Sequence, residues 1–116
     1  MGIHIVKDHI SRSELQVIAD ERFGDLIKAA IDVEQGILAL GAELHADAEA
    51  ELIEKENSKP ENIWGINIYP AATDETFLEF DSMINLKPAL GNKTRSVDDE
   101  TVRARIREIA NKIVHS

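Results

Sequence analysis

The sequence predicts a single α+β domain, in which a mostly antiparallel sheet of about four to five strands carries two or three helices on one face. Three observations predict this class. Several short segments alternate apolar and polar residues with a period of two, which is typical of half-buried strands. Other segments repeat their apolar residues at helical spacing. The links between strands are short, which favours antiparallel neighbours, and 116 residues suffice for one core but not for two.

The N-terminal elements are a strand and a helix. Residues 3–6 are apolar enough for a short strand. Ser11 followed by Glu14 predicts a capping box that starts a helix, and Gly24 is expected to end it because glycine readily adopts the left-handed conformation.

The middle of the chain predicts a hairpin and a second helix. Residues 26–42 alternate on both sides of a polar turn, which indicates two antiparallel strands. Residues 46–57 are rich in Ala, Glu and Leu, and Asp47 is the expected N-cap of a helix there.

The C-terminal half predicts two strands and a third helix. Residues 63–69 alternate until Pro70, and residues 78–87 carry the clearest alternation in the chain. Residues 98–113 begin with three acidic side chains and continue with one apolar stripe, which predicts the last helix. If the helices cover one face of the sheet, the opposite face exposes Asn67, Tyr69, Glu79, Asp81, Met83 and Asn85.

Composition excludes several classes of function. The formal charge of −9 works against nucleic acid as a partner, because phosphate binding needs clustered cations. The absence of cysteine removes disulfides and thiolate chemistry and fits a reducing compartment. No apolar run is long enough for a membrane span and no secretory signal is recognised, so we expect a soluble, cytoplasmic protein without membrane contact. No cofactor and no resident metal are predicted.

The loop at residues 91–96 is the first candidate site. Its residues Asn92, Lys93, Thr94 and Arg95 combine backbone N–H groups, hydroxyls and two cations ahead of a helix. Such a loop can bind a phosphate or carboxylate, although it matches no nucleotide-binding signature and is equally compatible with a solvated capping loop.

Two further constellations are carboxylate-rich. In an extended segment Glu43, His45 and Asp47 project to one side and form a possible metal ligand set, whereas helix formation makes Asp47 a cap instead. Asp81 and Glu79, on the same predicted strand face, form a possible acid–base pair.

Four motifs resemble a domain-of-unknown-function family of short bacterial and archaeal proteins. They span nearly the whole chain: GAELHAD at 41–47, WGINIYP at 64–70, FDSMINL at 80–86, and GNKTR followed by Val97 and Asp98. The resemblance implies no activity and no catalytic residue. Some members are loosely labelled as antitoxins of toxin–antitoxin pairs, which implies a protein partner, such as a basic toxin.

Two functions follow as hypotheses. The leading hypothesis is an acidic protein-interaction module, because seven acidic side chains lie between Glu43 and Glu61. Its expected surfaces are the acidic stretch 43–56 and the strand face that bears Asn67, Tyr69 and Asp81, and the resemblance implies that it is the antitoxin half of a pair. The second is a protein that binds a small anion or handles phosphoesters through the 91–96 loop with His45, Asp47 or Asp81. The second hypothesis requires the loop, His45 and Asp81 to line one concave pocket. A homodimer is also expected, since an exposed strand edge or sheet face can be covered by a second copy.

Overall fold

The fold was obtained as a computed structural model, which describes residues 2–116. Residues 2–116 contain three α-helices and seven strands, which confirms the predicted α+β class. In order they are β1 (His4–Val6), β2 (Ile10–Ser11), α1 (Arg12–Asp20), β3 (Ile27–Asp32), β4 (Ile37–Ala42), α2 (His45–Glu56), β5 (Ile63–Ile68), β6 (Leu78–Glu79), α3 (Glu100–Ile113) and β7 (Val114–His115). No helix within residues 2–116 has the length and apolar character needed to span a membrane.

The main sheet has five antiparallel strands in the order β1-β4-β3-β5-β6. The predicted hairpin of residues 26–42 forms its centre as β3 and β4, and β5 pairs with β3 along its full length. In this register Lys28 lies beside Asn67, so both side chains belong to the same face.

Helices cover both faces of this sheet, whereas one covered face was expected. One apolar cluster joins α1 and α3 to one face through residues such as Leu15, Ile66 and Ile106. A second cluster joins Ala48 and Leu52 of α2 to the opposite face. The second face is therefore largely buried, and Asn67 on it is only 8% exposed. Short alanine side chains on β3 and β4 allow α2 to pack there, as Ala30 and Ala39 do.

The predicted strand at residues 78–87 is the main error of the sequence interpretation. Only Leu78–Glu79 pairs with β5, and residues 83–85 form a 3-10 turn whose N-cap is Ser82. The side chain of Asn85 replaces the missing strand: its Oδ1 accepts from Gly65 N–H at 2.8 Å and its Nδ2 donates to Gly65 C=O at 3.0 Å. Asn85 is fully buried instead of exposed.

Local capping explains where the helices begin. The predicted capping box is present at α1, where Ser11 and Glu14 bond reciprocally. Asp99 caps α3. Helix α2 begins at His45 with Leu44 as its N-cap, three residues earlier than an N-cap at Asp47 would place it, because the Leu44 carbonyl accepts from Asp47 N–H at 3.0 Å. Asp47 therefore lies in the first turn, where its charge suits the helix dipole.

The two ends of the described chain meet in a small parallel pair. Residues Ile10 and Ser11 of β2 pair with Val114 and His115 of β7. The rings of His9 and His115 lie 5.3 Å apart beside it. This pairing joins the start of α1 to the end of α3 and closes the apolar cluster that both helices share.

Candidate functional site

A cleft of about 470 Å³ lies on the α2 side of the sheet. Its walls are the first turn of α2 and the segment 81–84, and Lys28 and Asn67 extend into it from β3 and β5. We call it the α2 cleft; the residues that carry its chemistry are Lys28, Leu44, His45, Asp81, Met83 and Arg95.

The imidazole of His45 is held in one tautomer. Asn67 Nδ2 donates to Glu79 at 2.9 Å, so Asn67 Oδ1 is the atom that faces His45. His45 Nε2 lies 2.9 Å from that oxygen and 3.1 Å from the Ile66 carbonyl oxygen. Both partners are acceptors, so Nε2 carries the proton and Nδ1 keeps its lone pair. Burial lowers the pKa of His45, although its two hydrogen bonds oppose the shift, so the surroundings of the ring favour its neutral form.

Positive charge in the α2 cleft comes from two side chains, Arg95 and Lys28. Arg95 donates from Nε to Asp81 at 2.8 Å, and its terminal nitrogens make no hydrogen bond with another residue in 2–116. Lys28 forms no ion pair within the described chain, and its ammonium lies 5.1 Å from the centre of the Phe23 ring. Lys28 therefore has the capacity to bind an external anion.

The first turn of α2 adds donors to the same cleft. Leu44 at the N-cap has no side-chain oxygen, and no capping bond is formed. The backbone N–H groups of His45 and Ala46 consequently have no partner among residues 2–116. Unpaired N–H groups at a helix start favour negative charge beside them.

Apolar side chains line the remainder of the cleft. Leu44 is 56% exposed and Met83 is 62% exposed, and both contribute to the walls together with Ile84. Sequence patterning predicts that Met83 is exposed, but it does not single out Leu44, Ile84 or Lys28, because Lys28 is the ordinary polar member of an alternating strand. Lys28 lies in the α2 cleft because it is paired with Asn67 in the strand register.

The structure brings four predicted site residues together, because His45, Asn67, Asp81 and Arg95 all line the α2 cleft. Among them, Asn67 orients His45. Of the 91–96 loop only Arg95 lines this cleft, so the concave arrangement that the small-ligand hypothesis requires is present in part. That these residues bind a ligand stays a prediction.

The rest of the 91–96 loop has an internal role. Asn92 Nδ2 donates to three carbonyls, of Asn85, Thr94 and Ser96, and its Oδ1 accepts from Asp98 N–H at 2.7 Å. The Asp98 carboxylate accepts from Lys93 N–H and Thr94 Oγ1. The internal carboxylate of Asp98 therefore occupies the donors that an external phosphate would need. Helix α3 starts at Glu100, two residues after the predicted start at residue 98.

Three other predicted residues lie outside the α2 cleft. Glu43 is exposed and lies 4.0 Å from Arg22, and Asp47 is exposed on α2. Tyr69 lines a separate cleft with Asp25 and donates to Glu79 at 3.0 Å. Burial, together with this hydrogen bond, raises the pKa of Tyr69.

The proposed metal ligand set of Glu43, His45 and Asp47 is not assembled. The helix begins at His45, so the three residues do not share one extended segment. Within residues 2–116 no group of three His, Cys, Asp or Glu side chains is placed to hold a metal ion.

Comparison with known proteins identifies the family but not its activity. A family model described as "Protein of unknown function (DUF5674)" matches residues 4–113. The chain belongs to this family, which confirms the resemblance of its four motifs to a domain-of-unknown-function family. No curated protein and no solved structure matches the chain.

Proposed function

We propose that the protein binds a small anionic ligand in the α2 cleft. The observation that carries this proposal is the convergence of Lys28, His45 and Arg95, which are distant in sequence, on one concave surface. Clefts that combine apolar walls with a few convergent polar groups are typical ligand sites.

Each group has a distinct role in the proposed complex. Lys28 and the free end of Arg95 supply charge-assisted hydrogen bonds to the anion. The unbonded N–H groups of His45 and Ala46 supply neutral donors from the helix start. Asp81 holds the Arg95 side chain at the cleft and thereby lowers the conformational entropy that is lost on binding.

The proposal is binding rather than phosphoester hydrolysis. His45 Nδ1 could accept a proton, but the nearest hydroxyl on the cleft wall, Ser82, is 1% exposed. The Ser82 Oγ accepts from Ile84 N–H at 3.3 Å as part of a helix cap. A base without an accessible nucleophile beside it supports recognition better than nucleophilic catalysis.

Isothermal titration calorimetry with sodium acetate, sodium hexanoate and inorganic phosphate tests the proposal. At least one anion is expected to bind the wild type at low ionic strength, and Lys28→Gln is expected to weaken that binding about tenfold. Lys93→Gln is the matched control, because this cation lies in the 91–96 loop outside the α2 cleft. Equal effects of both variants, or no heat with any anion, would overturn the proposal.

A second candidate function is the binding of a basic protein, such as the toxin of a toxin–antitoxin pair. The outer face of α2 favours it, because Asp47 and Glu54 are exposed there without an ion pair in the described chain, and Ile53 is 39% exposed. An acidic surface around an apolar side chain suits a cationic partner.

Affinity purification from the native host at low and high salt tests this second candidate. A basic protein that co-purifies at low salt and is lost with Glu54→Lys would support it. Asp8→Lys is the control, since Asp8 is exposed away from α2. Retention of the partner by Glu54→Lys would exclude the outer face of α2 as the binding surface.

Self-association remains a prediction. The short strand β1 is an edge of the main sheet and is open to pairing with a second copy. Size-exclusion chromatography with light scattering distinguishes a 12.9 kDa monomer from a dimer.

A further inference from the structure

The charge of the α2 cleft limits which anions it can neutralise. Lys28 and Arg95 are its cations, and Asp81 pairs with Arg95, so one positive charge remains uncompensated. His45 adds none at neutral pH because burial lowers its pKa. The Glu79 carboxylate, beside Asn67 in the strand register, accepts from Asn67 Nδ2 at 2.9 Å and lines the neighbouring cleft with Tyr69.

One uncompensated charge matches a monoanion. A carboxylate at pH 7 carries a single charge, whereas a phosphate monoester carries about −1.5 to −2. The dianion would retain excess negative charge in the cleft and would also lie near the Asp81 carboxylate. The charge balance therefore favours a carboxylate over a phosphate monoester.

The walls of the cleft favour an apolar extension on that carboxylate. Leu44 and Met83 are among the most exposed large apolar side chains of the described chain, and both face this cleft. Met83 is exposed because it lies in the same short turn as Asn85. The buried Asn85 side chain fixes that turn through its bonds to Gly65 and to the Arg95 carbonyl. Apolar surface that is kept exposed next to a charged group is typical of a binding site for an amphipathic ligand.

We infer that the ligand of the α2 cleft is an organic carboxylate with an apolar chain or ring, whose charged end lies near Lys28 and Arg95 and whose apolar end covers Leu44 and Met83. This inference rests on the proposed function and names the ligand class of the same site. It excludes inorganic phosphate as the preferred ligand.

A chain-length series tests the inference by calorimetry at constant ionic strength. Affinity is expected to rise about two- to fourfold for each methylene from acetate to hexanoate. Inorganic phosphate is expected to bind more weakly than hexanoate. Equal affinities across the series, or tighter binding of phosphate, would overturn the inference while the proposed anion site stands. Absence of binding by all these anions would overturn both.

Two surface variants locate the apolar end of the ligand. Leu44→Ala, which adds no side-chain oxygen at the N-cap, and Met83→Gln are expected to flatten the chain-length dependence and to leave acetate affinity within about twofold of wild type. Leu90→Gln is the control, because Leu90 is 53% exposed but lines a different cleft. An unchanged dependence in both cleft variants would contradict the assigned position of the chain.

Discussion

Gly65 is the residue at which strand β5 and the segment 81–86 come into closest contact. A Cβ atom built on Gly65 would lie 2.5 Å from Ser82 Cβ and 2.9 Å from Ile84 Cγ1. Its backbone N–H and C=O both bond to Asn85. The small size of Gly65 thus allows the wall of the α2 cleft to lie directly on the sheet.

The substitution Gly65→Ala is therefore expected to destabilise the protein by about 1–3 kcal/mol through overpacking. Urea unfolding at equilibrium measures the free energy of unfolding of the variant and the wild type. Gly2→Ala is the control, because no atom lies within 4 Å of the added methyl group. Equal stability of Gly65→Ala and Gly2→Ala would show that the contact with Ser82 relaxes at no cost.

His45 is expected to make stability depend on pH. Its pKa is lowered in the folded protein by burial, so the unfolded chain takes up the proton first. The stabilisation by neutral His45 is fully present above the unfolded pKa of about 6.5 and is lost as the pH falls towards the lower folded value.

Unfolding free energies at pH 7.5, 6.5 and 5.5 measure this dependence. The wild type is expected to lose more stability over this range than His45→Gln, which keeps every other histidine. Parallel losses in the two proteins would contradict the assigned burial of the imidazole.

Among the elements, helix α1 depends on its cap. Ser11 Oγ accepts from Glu14 N–H at 3.1 Å, and Ser11 N–H donates to the Glu14 carboxylate at 3.1 Å. Ser11→Ala is expected to cost about 1 kcal/mol in urea unfolding. Ser13→Ala removes the exposed hydroxyl that lies 3.1 Å from Ser11 Oγ, leaves both bonds of the capping box in place, and should cost about 0.5 kcal/mol or less. Equal costs for the two variants would mean that the box does not stabilise α1.

Elements with a strong periodic pattern and a local cap could be predicted from the sequence. Helices α1 and α3, the hairpin β3–β4 and strand β5 belong to this group. The predicted end of α1 at Gly24 was wrong, because the helix already ends at Asp20 with Glu21 as its C-cap. The parallel pair β2–β7 could not be predicted, because two residues carry no measurable period and the partners lie at opposite ends of the chain.

The segment 78–87 shows why periodicity can mislead. Its alternation is genuine, but the side-chain amide of Asn85 competes with backbone pairing and bonds to both polar groups of Gly65. The candidate site, too, could be predicted only in part, because the sequence does not show which segments pack together. His45, Asp81 and Arg95 have recognisable chemistry, whereas Lys28, Leu44 and Met83 gain significance only from the packing of α2 and the turn at Ser82.

At the scale of the whole molecule, a net charge of −9 surrounds a cleft with an uncompensated cation. The surrounding acidic field slows the approach of anions and is screened by salt, so the association rate should rise as ionic strength increases. The local contacts of Lys28, Arg95 and the start of α2 are what favour the bound anion.

The most direct measurement is an NMR titration of the ¹⁵N-labelled protein with sodium hexanoate, with sodium chloride as the ionic-strength reference. Saturable shifts are expected at the backbone amides of His45 and Ala46 and at the Asn67 side chain, and Lys28→Gln should move their midpoint to an about tenfold higher hexanoate concentration. Shifts that match those caused by sodium chloride, or that cluster at residues 92–94 instead of at α2, would contradict an anion site in the α2 cleft.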